Sequence, residues 1–143
     1  MIREMDANDL KSIFDFEREY FKSDAYSMET LEKFVSDKNI LNLVYDCEEK
    51  LLGYINVSFY EDTANILKIA VAINSRRNGI GEELFKSALK ILKEKQVKKV
   101  FLEVESDNLP AITLYKKLGF KNLRVRKNYY KNGGDAVEMM HEI

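Results

Sequence analysis

A-V-A-I-N-S-R-R-N-G-I-G-E-E-L-F-K-S-A-L-K-I-L, residues 70–92, reads as a strand that runs through a glycine-bearing turn into an amphipathic helix. Gly79 and Gly81 can take backbone angles closed to other residues and leave no side chain in the way, so successive N–H groups can converge on one anion. The two familiar phosphate fingerprints are absent. A dinucleotide fold requires G-x-G-x-x-G, but Leu84 holds the third position; a P-loop requires a Gly-Lys pair, and the chain has none. What remains is R-x-x-G-x-G, opened by Arg76 with Arg77 as a second cation. By itself this hexapeptide is compatible with two roles, holding a phosphate or merely starting a helix.

The remainder of the chain restricts what such a turn could serve. At 143 residues it is the length of one domain, 1–143, and can bury roughly two thirds of its unfolded surface. Its single cysteine, Cys47, and single histidine, His141, cannot make a zinc site between them, so no metal is expected. Cys47 is expected to be an inert, partly buried thiol at a strand end, and His141 a solvated surface residue. No apolar run reaches membrane-spanning length, and M-I-R-E-M-D-A lacks a basic start followed by a hydrophobic stretch. A cytoplasmic protein without a membrane partner is expected. The net charge of −1 argues against general nucleic-acid binding. Its distribution is uneven: residues 1–65 carry 15 acidic and 7 basic side chains, and residues 66–143 carry 9 and 16. Solvated helix faces would account for this, and so would a positive half for a polyanionic cofactor with a negative half for a cationic substrate.

Hydrophobic periodicity orders the elements. Ile2 to Met5 reads as a strand; Asp6 or Asn8 then caps a helix carrying Leu10, Ile13, Phe14, Phe16 and Phe21. Ser27 caps a second helix with Leu31, Phe34 and Val35 on one face. Ile40 to Asp46 and Leu51 to Tyr60 form a hairpin, and Asn65 to Ile73 a further strand that feeds the glycine turn. The following helix is expected over Gly79 to Lys95, with Ile80, Leu84, Ala88, Ile91 and Leu92 inward. Lys99 to Glu105 alternates strictly, setting Val100, Leu102 and Val104 opposite Phe101, Glu103 and Glu105. A helix from Asn108 to Leu118 stops at Gly119, and Phe120 to Lys127 pairs with Ala136 to Glu142 across a turn at Lys131 to Gly134. These elements make an α/β fold around a mixed, mostly antiparallel twisted sheet of six to seven strands flanked by about four helices.

F-L-E-V-E-S-D-N-L-P-A-I-T-L-Y-K-K-L-G-F, residues 101–120, narrows the reading. Together with Arg76 to Gly81, its Asn108, Ala111, Tyr115, Gly119 and Phe120 resemble the paired motifs of the GNAT superfamily of N-acetyltransferases. Within it, Ile69-Ala70-Val71, Leu102-Glu103-Val104, Leu114 to Phe120, Arg126 to Tyr130 and Asp135 to Met140 are most similar to the ribosomal-protein alanine N-acetyltransferases, the RimI type. Ile73 stands where such enzymes usually carry proline, and Tyr26 where close relatives carry tryptophan.

The resemblance implies acetyl-CoA as cosubstrate and a protein N-terminus, that of a ribosomal protein, as acceptor. It implies that the pantetheine arm lies along the backbone of Ile69, Ala70 and Val71, with Asn108 as a further hydrogen-bonding partner. The pyrophosphate would meet Arg76 and the amides of Arg77, Asn78, Gly79, Ile80, Gly81 and Glu82. Glu103 would be the general base and Tyr115 the general acid, with Tyr26, Tyr129 and Tyr130 as walls of an acceptor groove. Two other readings stand beside this one: the same chemistry on a small-molecule amine, polyamine or lysine side chain, and a non-catalytic CoA-binding module.

Overall fold

A computed structural model describes residues 1–143, with seven strands hydrogen-bonded into one sheet in the order β1-β2-β3-β4-β5-β7-β6. The strands are β1 (Ile2–Glu4), β2 (Ile40–Cys47), β3 (Lys50–Tyr60), β4 (Thr63–Val71), β5 (Lys99–Glu105), β6 (Lys121–Arg126) and β7 (Ala136–Glu142). Four helices are interposed: α1 (Leu10–Tyr20), α2 (Met28–Ser36), α3 (Ile80–Glu94) and α4 (Leu109–Lys117). The mixed α/β architecture expected from periodicity is therefore present. None of the helices is long and apolar enough to cross a membrane. Contacts divide the chain into two compact units, Met1–Val57 with Lys68–Ala88, and Ser58–Leu67 with Leu89–Ile143.

The first unit starts with β1 antiparallel to β2. Asp6 accepts from the Asn8 amide at 2.8 Å and Asp9 accepts from the Asp6 amide at 2.9 Å, a reciprocal cap that launches the chain toward α1. Ser27 accepts from the Thr30 amide at 3.1 Å and caps α2 as expected. Ile13, Phe16, Leu31, Val44 and Tyr54 form the core, with Ala70 and Ala72 against it. Each fully buried large apolar side chain there contributes about 1.5–3 kcal/mol over leaving it in water.

β4 is shifted from its expected span. It begins at Thr63 and stops at Val71, because Ile73–Ser75 wind into a short 3-10 turn in which the Ser75 amide bonds the Ala72 carbonyl at 2.9 Å. α3 begins at Ile80, one residue late, since Gly79 is left-handed with φ of 77°.

In the second unit β5 is antiparallel to β7, and β7 to β6, while β4 meets β5 in parallel over Thr63–Asn65 and Lys99–Phe101 only. Val100, Leu102 and Val104 are buried and Glu103 is exposed, so the alternation of β5 is as read. Asn108 caps α4, accepting from the Ala111 amide at 3.3 Å. Gly119 ends that helix with φ of 104°, and a Cβ there would sit 2.5 Å from the His141 ring. His141 is thus no free surface residue: it is half-buried, with its ring centre 5.2 Å from that of Phe120 and tilted at 45° to it. Cys47 departs in the other direction, because the end of β2 leaves its thiol exposed.

Candidate active site

The glycine turn lies wholly in the first unit. Arg76 Nε donates to the Val71 carbonyl at 3.0 Å, which folds the turn back onto the end of β4. Arg77 takes φ of 67° and Gly79 φ of 77°, so two left-handed residues reverse the chain just before α3. Residues 76–79 are exposed, and the first N–H groups of a helix have no partner within it. Those amides and the positive end of the helix dipole suit a diphosphate. A Cβ on Gly81 would reach only ordinary contact, 3.6 Å from Val71 and 4.0 Å from Ile69. The protein's own packing therefore does not demand glycine at 81, and the hydrogen in its place leaves the amide open to a close ligand. Glu82 pairs its carboxylate with Lys86 at 3.2 Å, which offsets part of its charge at the start of α3. Ile69, Ala70 and Val71 form the last part of β4 and lead directly into this turn.

The second unit holds Glu103, Tyr115, Tyr129 and Tyr130. β4 pairs with β5 no further than Asn65 and Phe101, and a cavity of about 790 Å³ opens beside the end of that ladder. Its lining includes Ile66, Leu67, Glu103, Arg126, Tyr129 and Tyr130. The Glu103 carboxylate beside it holds the Tyr129 phenol above its ordinary value. Tyr130 packs edge-on against Tyr129 at 5.1 Å. Burial first, then the charges of Glu103 and Glu105, push Tyr130 up to about 12. The loop carrying both tyrosines is fixed by Asp135, which accepts from the Asn128 amide at 2.9 Å and from Lys127 at 3.2 Å. Those bonds hold the Asp135 carboxyl below its usual range.

Tyr115 sits on α4 with its ring 6.2 Å from Phe120, and burial raises its phenol above the ordinary value. Asn108, two helical turns earlier, spends its amide oxygen on the cap and keeps its NH₂ group for another partner. Glu103, Tyr129 and Tyr130 are thus brought together around one cavity, while Tyr26 belongs to the first unit. There it faces Phe34 edge-on at 5.0 Å and is pushed up to about 12 by burial, then by the charge of Glu17.

The family model described as acetyltransferase (GNAT) family matches residues 8–120. The chain belongs to this family. A Bacillus subtilis protein with the provisional name ribosomal protein bS18-alanine N-acetyltransferase is 36% identical over 96% of this chain and 92% of its own length. Among solved structures, the ribosomal-protein-S18-alanine N-acetyltransferase from Escherichia coli superposes with a TM-score of 0.91 at 27% identity, covering 100% of this chain and 93% of that one. Ard1 from Thermoplasma volcanium superposes with a TM-score of 0.88 at 29% identity, covering 100% and 97%. The protein is an N-acetyltransferase of the RimI-like kind.

Two polar clusters of this acetyltransferase escaped the sequence reading. Glu17, fully buried, accepts from Lys68 Nζ at 2.9 Å, from the Tyr26 amide at 2.8 Å and from the Tyr54 hydroxyl. Lys68 in turn lies 4.0 Å from the ring centres of both Phe21 and Tyr26. The signal was present: Glu17 follows Ile13 and Phe16 at core spacing, which puts a carboxylate on the apolar face of α1. The other cluster is Glu138, a charge inside the otherwise apolar run A-V-E-M-M, which accepts from Arg124 at 3.2 Å and from Arg126 at 3.1 Å.

Proposed function

We propose that the chain acts as one catalytic domain that transfers acetyl from acetyl-CoA to the N-terminal α-amine of a basic protein, an alanine of a ribosomal protein. The observation that carries the chemistry is Glu103, an exposed carboxylate on β5 that lines a cavity together with Tyr129 and Tyr130. The acceptor assignment is supported by similarity along nearly the full chain to a protein named for bS18-alanine acetylation. Such an acceptor is in the cytoplasm, and the enzyme with it.

In this reading the diphosphate of acetyl-CoA sits on the amides of Arg77 to Glu82 beside Arg76, and the pantetheine arm adds to the backbone of Ile69 to Val71. The Asn108 NH₂ group donates to a carbonyl of that arm. Acyl transfer needs a neutral amine. At pH 7 an α-amine of pKa near 7.7 to 8.0 is about one tenth deprotonated, whereas a lysine near 10.4 costs roughly 3 kcal/mol more to neutralise. A single carboxylate therefore suffices for an N-terminus. Glu103 takes the proton, directly or through one water, as nitrogen bonds to the thioester carbon. Collapse of the tetrahedral adduct breaks the C–S bond, and Tyr115 gives its phenolic proton to the departing sulfur. Tyr129 and Tyr130, which line the cavity with Glu103, wall the acceptor's approach to the base.

The test is acetylation of two peptides and a polyamine by the purified protein, followed by mass spectrometry. A basic peptide beginning with alanine should gain one acetyl group, and its N-blocked form should gain none even where it contains lysine. Equal or faster acetylation of the blocked peptide, or of a polyamine, would replace the N-terminus with a side-chain or small-molecule acceptor. Binding of acetyl-CoA with no transfer to any amine would leave a binding module.

A further inference from the structure

Glu103 and Glu138 stand directly opposite each other, as register partners on β5 and β7. Cross-strand partners project from the same face, with Cβ atoms roughly 5 Å apart, and like charges so placed repel. Glu138 is only 7% exposed, so water screens it poorly. On its far side β6 supplies two cations, Arg124 Nε at 3.2 Å and Arg126 at 3.1 Å. All four side chains line the same cavity. Glu103 also shares this lining with Tyr129, and its charge reaches Tyr129, Tyr130 and Arg126. Glu105 and Tyr115 complete the titratable groups that act on Tyr130 nearby. The strand β4 contributes neutral Thr63 and Asn65 to the lining.

We infer that Glu138 is a positioning residue for Glu103: by engaging Arg124 and Arg126 it keeps both guanidinium groups off Glu103, and they in turn cancel its repulsion of that carboxylate. The inference rests on Glu103 being the base. A base paired with a guanidinium would be a poor proton acceptor, and one beside a bare second carboxylate would share a proton with it. The arrangement avoids both. It also gives a reason for a glutamate in a strand whose neighbours Val137 and Met139 are buried and apolar.

The test is a ¹³C-carboxyl NMR titration of Glu103, its signal assigned by its loss in E103Q. In E138Q a negative neighbour is lost and two cations are released, so the Glu103 pKa should fall by about one unit. In R124Q/R126Q the bare Glu138 should raise it by about as much. The triple variant should return close to wild type. Displacements of opposite sign are not the result of a merely structural role, which would disturb both variants alike. Turnover of E138Q should fall about tenfold with the KM for acetyl-CoA unchanged. No displacement, or displacements of the same sign, in variants that keep a native amide spectrum would overturn the inference. Should E138Q fail to fold, R124Q alone, on a side chain 60% exposed, must still raise the Glu103 pKa. Full turnover in E103Q would remove the base assignment instead, while the titration would still decide the charge coupling.

Discussion

The proposed mechanism asks different things of Glu103 and Tyr115, and single substitutions separate them. E103Q keeps size and hydrogen bonding but cannot accept a proton, so kcat should fall by about 10²-fold or more with acetyl-CoA affinity nearly unchanged, measured by steady-state kinetics and calorimetry. Y115F should also lose kcat, and pH locates its proton. Burial raises the Tyr115 phenol above its ordinary value near 10, so the acid form persists through that pH rather than failing below it. The rate should therefore climb through the acceptor amine's pKa of about 8, stay level, and decline only above about pH 10. A decline that sets in near pH 9 would remove Tyr115 as the donor. At Glu17 the issue is stability. Lys68 is its only cationic partner, 16% exposed, so K68A leaves a fully buried carboxylate without charge compensation. About 3 kcal/mol should be lost in urea unfolding, and replacing Glu17 by glutamine in the same chain should restore part of it.

At the level of elements, what was legible in the sequence follows from how local the cause is. Helix caps depend on one side chain and the next three residues, and Ser27 caps α2 where it was expected to. The alternation in β5 was equally visible, because one strand buried on a single face carries its own pattern. β4 ended two residues early because of the Ala72–Ser75 hydrogen bond and the tie from Arg76 to Val71, and composition carries no trace of either. Glu138 was invisible as an ion-pair centre because its partners lie on β6, joined to it only by sheet register. The same limit hid the clip at the chain's start, where Arg3 bonds Asp9 at 2.7 Å and Asp46 at 2.9 Å, binding β1 to the entrance of α1 and the end of β2. The bond from Arg3 holds the Asp9 carboxyl below its ordinary value. A depressed carboxyl contributes stability that is present above its unfolded pKa near 3.9 and lost as pH falls through the folded value. D9N should therefore cost about 1 kcal/mol at pH 7, discounted for the exposure of Arg3, and much less at pH 2 to 3, measured as urea midpoints at each pH.

For the molecule as a whole, the uneven charge is a kinetic statement rather than a structural one. Residues 1–65 carry 15 acidic against 7 basic side chains, a net of −8, and residues 66–143 carry 9 against 16, a net of +7. The exposed pair Arg76 and Arg77 of the glycine turn belongs to the positive part, and a diphosphate is drawn to that sign. The negative part would draw a cationic acceptor. Inside the cavity the charges of Glu103 and Glu138 are matched by Arg124 and Arg126, so attraction toward a basic peptide must come from the surrounding field and not from the pocket itself. A field of that kind acts across water and is screened within about 10 Å at 0.1 M salt, whereas the contacts of a docked amine are not. Raising salt from about 0.05 to 0.5 M should therefore lower kcat/KM for a basic alanine-starting peptide on the order of fivefold, through KM. For a neutral peptide of the same length it should change by less than about twofold. Equal responses of the two peptides would show that the acidic N-terminal residues are only a solvated surface, and that acceptor choice lies in the cavity's contacts alone.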